Sequence, residues 1–300
     1  MNRRQFFFTT GASALAAARA ATTGADSKRA RIAVSSWSFH SLFEKTRDEN
    51  APKLAKPLDI LDYPEMIADR YKVHNLEIVV PHFASTEPSY LREFKARMAR
   101  AHARLINIPV DIDWLWDQPG LSAADPKERE KAVAAYLPWI GIAHELGAQS
   151  VRCDPGKINP ADLAPTIASY KTLSDAGKAN GVYVIVENHG GVGSEHPEEL
   201  VKILKSAGGY AGTLPDFANF PDQATREHGL KMLFPLAKTL CHCRDIAPDK
   251  QGKEAKFDFA ACVKISKAAG YKGLYSVEFE GSEDPYQGVG RLLDELLKLI

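Results

Sequence analysis

The sequence predicts an α/β protein built as one (β/α)8 barrel, a TIM barrel, over residues 31–300. Three observations predict it. From Arg31 onward, short apolar runs alternate with longer amphipathic stretches, eight times over. The connections between runs are short enough for parallel crossovers. Four successive strands in the second half each end on a side chain able to bind a metal. Eight strand-and-helix units need about 250 residues, which the 300-residue chain provides. An open doubly wound sheet would want a glycine fingerprint after the first strand, where the chain reads SSWSFH.

The units run in order. RIAVSS, residues 31–36, is the first strand, followed by a polar loop with Trp37 and His40. Helical spacing of Ile60, Leu61, Met66 and Ile67 predicts a helix over 59–71. LEIVV, 76–80, is the second strand, stopped by Pro81, and a helix over 88–104 follows. The third strand, 105–110, leads into a loop with Asp111, Asp113, Trp114 and Trp116. A long helix over 126–146 ends at Gly147, and Trp139 lies within it as a core residue. QSVRC, 149–153, is the fourth strand. Asn159-Pro160 reads as an N-cap with proline in the first turn, opening a helix that Asn180-Gly181 ends.

YVIVE, 183–187, is the fifth strand and runs into NHGG. Period-two alternation puts Tyr183, Ile185 and Glu187 on one face, and Val184, Val186 and Asn188 on the other. Asn188 is thus expected to face away from the barrel axis, and the GGVG after His189 to be a flexible loop. Helices over 197–207, 223–236, 257–269 and 285–299 alternate with strands over 210–216, 239–242 and 273–279.

Chemistry in such barrels sits at the C-terminal ends of the strands. Strand five ends in Glu187, strand six in Asp216, strand seven in His242 and strand eight in Glu278. Taken singly, each could be a helix cap, a loop charge or a core histidine. Together they form a cluster of like charges that needs a cation. An oxygen-rich set with one imidazole suits Mn²⁺, Mg²⁺ or Co²⁺, and Zn²⁺ less well. Trp37, His40, His82, Trp114, Trp116, Arg152, His189, Asn219 and Arg244 are the further candidates for contact with a substrate, and Glu77 is another residue near the pocket.

Composition narrows the partners. Lysine plus arginine and aspartate plus glutamate number 38 each, so no basic excess awaits a nucleic acid. Cys153, Cys241, Cys243 and Cys262 show no zinc-ribbon spacing. Cys241 and Cys243 flank His242; if His242 points inward, they face the helices and pack there. Arg3-Arg4, Phe6-Phe7-Phe8 and Ala18-Arg19-Ala20 resemble a twin-arginine export signal over 1–20, with a linker over 21–30. The apolar run is too short for a membrane span. This reading predicts an exported, periplasmic protein whose mature chain is slightly acidic. A phosphorylated intracellular metabolite would then be a poor substrate. A homo-oligomer is compatible with the sequence.

The pattern resembles the xylose isomerase-like TIM barrels, a superfamily of sugar isomerases and epimerases that also holds endonuclease IV. The resemblance follows strand order over the whole chain after residue 30 and is sharpest from Tyr183 to Gly281. Glu187, Asp216, His242 and Glu278 match the Glu, Asp, His, Glu metal set of the ketose epimerase branch. Where members often read His-x-Lys-Asp, this chain has His242-Cys243-Arg244-Asp245. Where ketose epimerases place a histidine three residues after the aspartate, it has Asn219.

The resemblance implies a small-molecule carbohydrate substrate and a divalent metal on its carbonyl oxygen and adjacent hydroxyl. It implies that Glu187 and Glu278 move protons through an enediolate. Epimerisation, aldose–ketose isomerisation and elimination, as in cleavage of a 3-keto-glycoside, are all open to such a site. A glycoside hydrolase with two carboxylates would leave Asp216 and His242 without work. A non-catalytic sugar-binding barrel is the further alternative. A DNA-repair nuclease would want a histidine-rich metal cluster and a basic groove, and this chain has neither feature.

Overall fold

The computed structural model describes residues 26–248 and 253–300. The expected export signal over 1–20 lies outside the described residues, as does the expected linker up to residue 25. Eight parallel strands form the barrel: β1 Ile32–Ser35, β2 Asn75–Glu77, β3 Arg104–Val110, β4 Ser150–Cys153, β5 Tyr183–Glu187, β6 Ala211–Leu214, β7 Leu240–Cys243 and β10 Leu274–Val277. Their order in the sheet is β6-β5-β4-β3-β2-β1-β10-β7. Between β7 and β10 lies an antiparallel hairpin, β8 Ile246–Pro248 and β9 Glu254–Lys256.

The circle closes between β6 and β7 through backbone just past the end of β6. The His242 amide donates to the Pro215 carbonyl at 2.9 Å, and the Phe217 amide donates to the His242 carbonyl at 3.2 Å. Asp216 and His242 pair as an isolated parallel bridge. Two candidate metal-binding residues therefore also form the closing seam of the barrel.

Alternation sorts the core into two clusters. Ile106, Ile185, Leu214 and Leu240 fill the barrel interior, with Tyr183 and Leu274 packed against them. The outward-facing residues, including Val184, Val186, Cys241 and Cys243, join the larger cluster under the helices. Cys241 and Cys243 pack side by side, with their sulfurs 4.0 Å apart. Where β2 meets β3 the register shifts by one residue. Ile106 is the extra residue of this bulge, and beyond it Asn107 comes level with Glu77.

Helices Pro126–Leu146 and Ala164–Asn180 end on Gly147 and Gly181 in the left-handed region, as the sequence predicts. Helices Pro197–Ala207 and Pro285–Leu299 have the predicted bounds. Five local expectations change. The helix expected from residue 59 spans Tyr63–Tyr71. The one expected to reach 104 stops at Arg100, because His102 turns at φ 50° and Arg104 enters β3. Asn159 does not cap the fourth helix; its side chain accepts from the Ala161 amide at 3.1 Å in a turn. The loop with Trp37 and His40 is a 3₁₀ helix over Ser36–Leu42. The stretch read as a flexible glycine loop forms a short helix, Gly191–Glu195. No helix among the described residues is long and apolar enough to cross a membrane.

Candidate metal centre

Glu187 is the last residue of β5, and Glu278 follows the last residue of β10. Asp216 lies two residues past β6, and His242 sits within β7. Parallel strands of matched register bring these ends to one level, so each residue offers a ligand atom within 4.8 Å of every other. All four are buried. His242 Nδ1 is 3.1 Å from Glu187 Oε1, 3.4 Å from Glu278 Oε1 and 3.6 Å from Asp216 Oδ2.

The donor set fits a divalent cation. Asp216 Oδ1 accepts from the amides of Ala218 and Asn219, at 2.6 and 2.7 Å. Its Oδ2 is buried, faces the cluster and has no hydrogen-bond donor. His242 Nδ1 and Arg244 lie 3.6 Å from it, too far for a hydrogen bond, so a cation held among the four would meet an oxygen that otherwise lacks a direct partner. Three carboxylates around one imidazole match hard divalent ions such as Mg²⁺ or Mn²⁺.

Protons in the cluster follow its charges. Burial, with Glu187 and Glu280 nearby, pushes Glu278 up to about 8 against the pull of His242. Burial also opposes the charge on Glu187, yet His242 and Arg152 hold it well below the usual carboxylate range. Burial disfavours a charged imidazole at His242, but Glu278, Glu77 and Glu187 raise it well above the ordinary histidine value. Pairs of carboxylates driven apart in this way can serve as acid and base in one site.

A buried polar column supports His242 from inside the barrel. His242 Nε2 lies 3.0 Å from Glu77 Oε2. Glu77 also accepts from Asn107 Nδ2 at 2.7 Å and from Ser276 Oγ at 2.6 Å. Ser150 Oγ donates to Asn107 Oδ1 at 2.8 Å and contacts Thr239 Oγ1 at the same distance. Burial works against the charge of Glu77, but His242, Ser276 and Asn107 keep its carboxyl below the usual range. When the imidazole gives up a proton to take a cation, an ionised Glu77 keeps the remaining hydrogen on Nε2 and leaves Nδ1 facing the cluster.

Two arginines edge the centre. Arg152 bridges Glu187 and Asp111. Arg244 reaches Glu280, with Asp216 Oδ2 at 3.6 Å and Glu278 Oε1 at 4.0 Å. Asn219 joins the two sides, donating to Glu187 Oε1 at 3.0 Å and accepting from Arg244 at 3.1 Å. Asn188 is buried on the face opposite Glu187. It clamps β5 to the seam, donating to the Asp216 carbonyl at 3.1 Å and accepting from the Asp216 amide at 2.8 Å.

Two cavities open above the centre. The larger, about 1050 Å³, is lined by Trp37, Trp114, Trp116, Trp139, Arg152, Glu187, His189, Arg244 and Glu278 among others. The smaller, about 530 Å³, includes Leu115, Trp116, Tyr136, Ile158, Glu187 and His189. Trp139, expected in the core, is only partly buried and reaches the larger cavity. His40 and His82 are not among the lining residues. His40 Nδ1 contacts the Trp37 carbonyl at 3.0 Å, and its ring stacks on the Trp37 indole. His82 is buried between Ser36 Oγ and Thr46 Oγ1 against Phe43, and burial drives its imidazole down to about 3. Both histidines thus brace the first loop. Asp111, Asp154 and Glu280 complete ion pairs at the site that the sequence reading did not assign. Alternation along β2 and β4 places Glu77, Ser150 and Arg152 inward, which was the available hint to the polar column.

An eight-stranded parallel barrel with an oxygen-rich metal-type cluster at its C-terminal mouth defines the class. The chain belongs to the xylose isomerase-like TIM barrel family, whose model matches residues 70–298. A comparison with curated proteins finds no match. Among solved structures, the chain is similar to a D-allulose 3-epimerase from Methylomonas sp., at 12% identity over 90% of this chain and 98% of that one, TM-score 0.66. It is similar to a 3-keto-D-glucoside 4-epimerase from E. coli, at 13% identity over 89% and 99%, TM-score 0.63. A xylose isomerase-like TIM barrel protein from Mycobacterium smegmatis, solved in complex with magnesium, matches at 16% identity over 90% and 96%, TM-score 0.63. At these identities the likeness is one of fold.

Proposed function

We propose that the protein is a divalent-metal-dependent isomerase or epimerase of a keto-sugar, working by proton transfer beside the carbonyl. The observation that carries this reading is the convergence of Glu187, Asp216, His242 and Glu278 within 4.8 Å, with Asp216 Oδ2 left without a donor. The epimerases among the structural neighbours and the magnesium in one of them support it.

In this reading Asp216, His242 Nδ1 and one oxygen from each glutamate hold the ion. The ion supplies Lewis-acid polarisation of the substrate carbonyl and charge compensation for the enediolate. Glu187, paired with Arg152, takes the proton from the carbon beside the carbonyl. Glu278, through the oxygen that does not face the ion, carries the returning proton on the other side of the substrate. Return to the same carbon from the opposite face epimerises it, and return to the former carbonyl carbon isomerises the sugar. Arg152 and Asn219 fix the angle at which Glu187 meets the substrate.

The test is solvent exchange. The protein with Mn²⁺ or Mg²⁺ is incubated with a panel of keto-hexoses and keto-glycosides in D₂O, and deuterium entering beside the carbonyl is followed by NMR. Exchange that a chelator stops and metal restores supports the reading. No exchange on any member of the panel, or exchange indifferent to chelator, rejects it.

A further inference from the structure

The two cavities meet at the proton-accepting residue. Asp111, Ile112, Trp116, Glu187 and His189 line both. Glu278 and the arginines border only the larger one, so the chemistry described above belongs there. The smaller chamber opens from the same Glu187 beside Trp116 and His189, whose rings touch each other with centroids 5.4 Å apart and line both spaces.

The smaller chamber is more than a fissure. Pockets that enclose whole drug-sized ligands span roughly 300–1000 Å³, and its 530 Å³ lies within that range. A single sugar ring is smaller than such ligands, and the larger cavity already exceeds its needs. The walls of the smaller chamber include the apolar Leu115, Tyr136, Ile158 and Val192 and the Trp116 indole, with Asp154 and Lys157 as polar groups among them. Trp116 is 54% exposed, so its indole face is open to the space of the cavities. Gly190 and Gly191 turn at φ 64° and 46°, a region that favours glycine. A Cβ at either would meet nothing within 4 Å, so the space beside them is open. An apolar wall with an exposed indole suits the C–H face of a pyranose.

We infer that the substrate is a two-ring glycoside rather than a free monosaccharide. The reacting keto-sugar ring lies in the larger cavity over Glu187 and Glu278. The second ring, joined through the glycosidic oxygen, extends over the shared rim of Asp111, Ile112 and Glu187 into the smaller chamber, with Trp116 alongside. This inference rests on the sugar-enzyme reading above and adds the length of the substrate.

Binding of unoxidised sugars tests it without turnover. Calorimetric titration of the Mn²⁺-loaded protein compares glucose, methyl glucoside, cellobiose, maltose and trehalose. At least one disaccharide should bind about tenfold or more tighter than glucose and methyl glucoside. Val192→Trp, at a residue that lines only the smaller chamber, should bring that disaccharide down to the glucose value. Trp116→Ala should weaken the disaccharide and abolish its quenching of tryptophan fluorescence. A thermal melt identifies any variant that fails to fold, and the wild-type comparison stands in either case. Glucose binding as tightly as every disaccharide would overturn this inference and leave the sugar-enzyme reading intact. Binding of no sugar, together with no deuterium exchange, would overturn both.

Discussion

His242 Nε2 lies 3.0 Å from Glu77 Oε2, deep in the barrel, while Nδ1 of the same ring faces Glu187 at 3.1 Å. One imidazole therefore joins the polar interior to the candidate metal centre. Removing the Glu77 charge should act on the metal from a distance. Glu77→Gln is expected to lower affinity for Mn²⁺ by about 10–100-fold while the barrel stays folded. Competition with a fluorescent chelator measures this, and an unchanged affinity would separate Glu77 from the centre.

Glu187→Gln keeps the shape of the side chain and removes its charge. The amide keeps an oxygen for Arg152 and puts its NH2 where Oε1 faced Asn219, so one contact is lost and the fold should survive. Activity should fall by about 10²–10⁴-fold, the usual worth of a general base. Circular dichroism checks the fold and deuterium exchange checks the chemistry. Undiminished turnover in a folded variant would remove Glu187 from the proton-transfer step.

The four ligand-type residues were legible because parallel strands deliver their last inward residue to one rim, and alternation alone places Glu187 and His242 there. The support beneath them was harder to see. Asn107 would point outward under strict alternation with Ile106, and only the bulge against β2 turns it toward Glu77. The role of Glu77 does not show in the sequence, because its partners come from β3, β7 and β10, and no local pattern links those strands. The β8–β9 hairpin left little trace, since IAPDKQGKEAK has no apolar alternation. Asn159-Pro160 carried a good capping signature, yet Asn159 uses it for a turn and the helix starts at Ala164. His40 and His82 looked chemical by residue type alone. Their stacking on Trp37 and Phe43 is a tertiary fact.

Arg152 is buried between two carboxylates, Glu187 and Asp111. Arg152→Met would leave Asp111 without its ion-pair partner and Glu187 with His242 alone. Breaking a buried pair from one side costs about 3–5 kcal/mol. The melting temperature should therefore fall by several degrees, and more so above the ordinary carboxylate range, where Asp111 must ionise. Asp111→Asn in the same background should recover part of the loss. If the single variant melts as the wild type does, the pair is not a stabilising contact.

Metal binding should be linked to pH with a definite sign. Without an ion, Glu278 holds its proton up to about 8, and His242 is raised well above its ordinary value. Both must lose protons to act as ligands, so loading releases protons and affinity should rise with pH through about 8. The metal-free fold should behave in the opposite way. Between the ordinary glutamate value of 4.5 and about 8, the folded chain holds a proton on Glu278 that the unfolded chain has lost. Stability of the metal-free protein should therefore fall as pH rises through that window. His242 acts in the same sense, since its raised value contributes stability below the ordinary histidine range that is lost as pH rises through the folded value. Excess metal should offset the loss, by about 2.7 kcal/mol at one hundred times its dissociation constant. The stabilisation by Mn²⁺ should thus be small near pH 5 and grow toward pH 8. Thermal melts with chelator and with Mn²⁺ across that range measure the gap, and a gap that shrinks as pH rises would contradict the proposed ligand set.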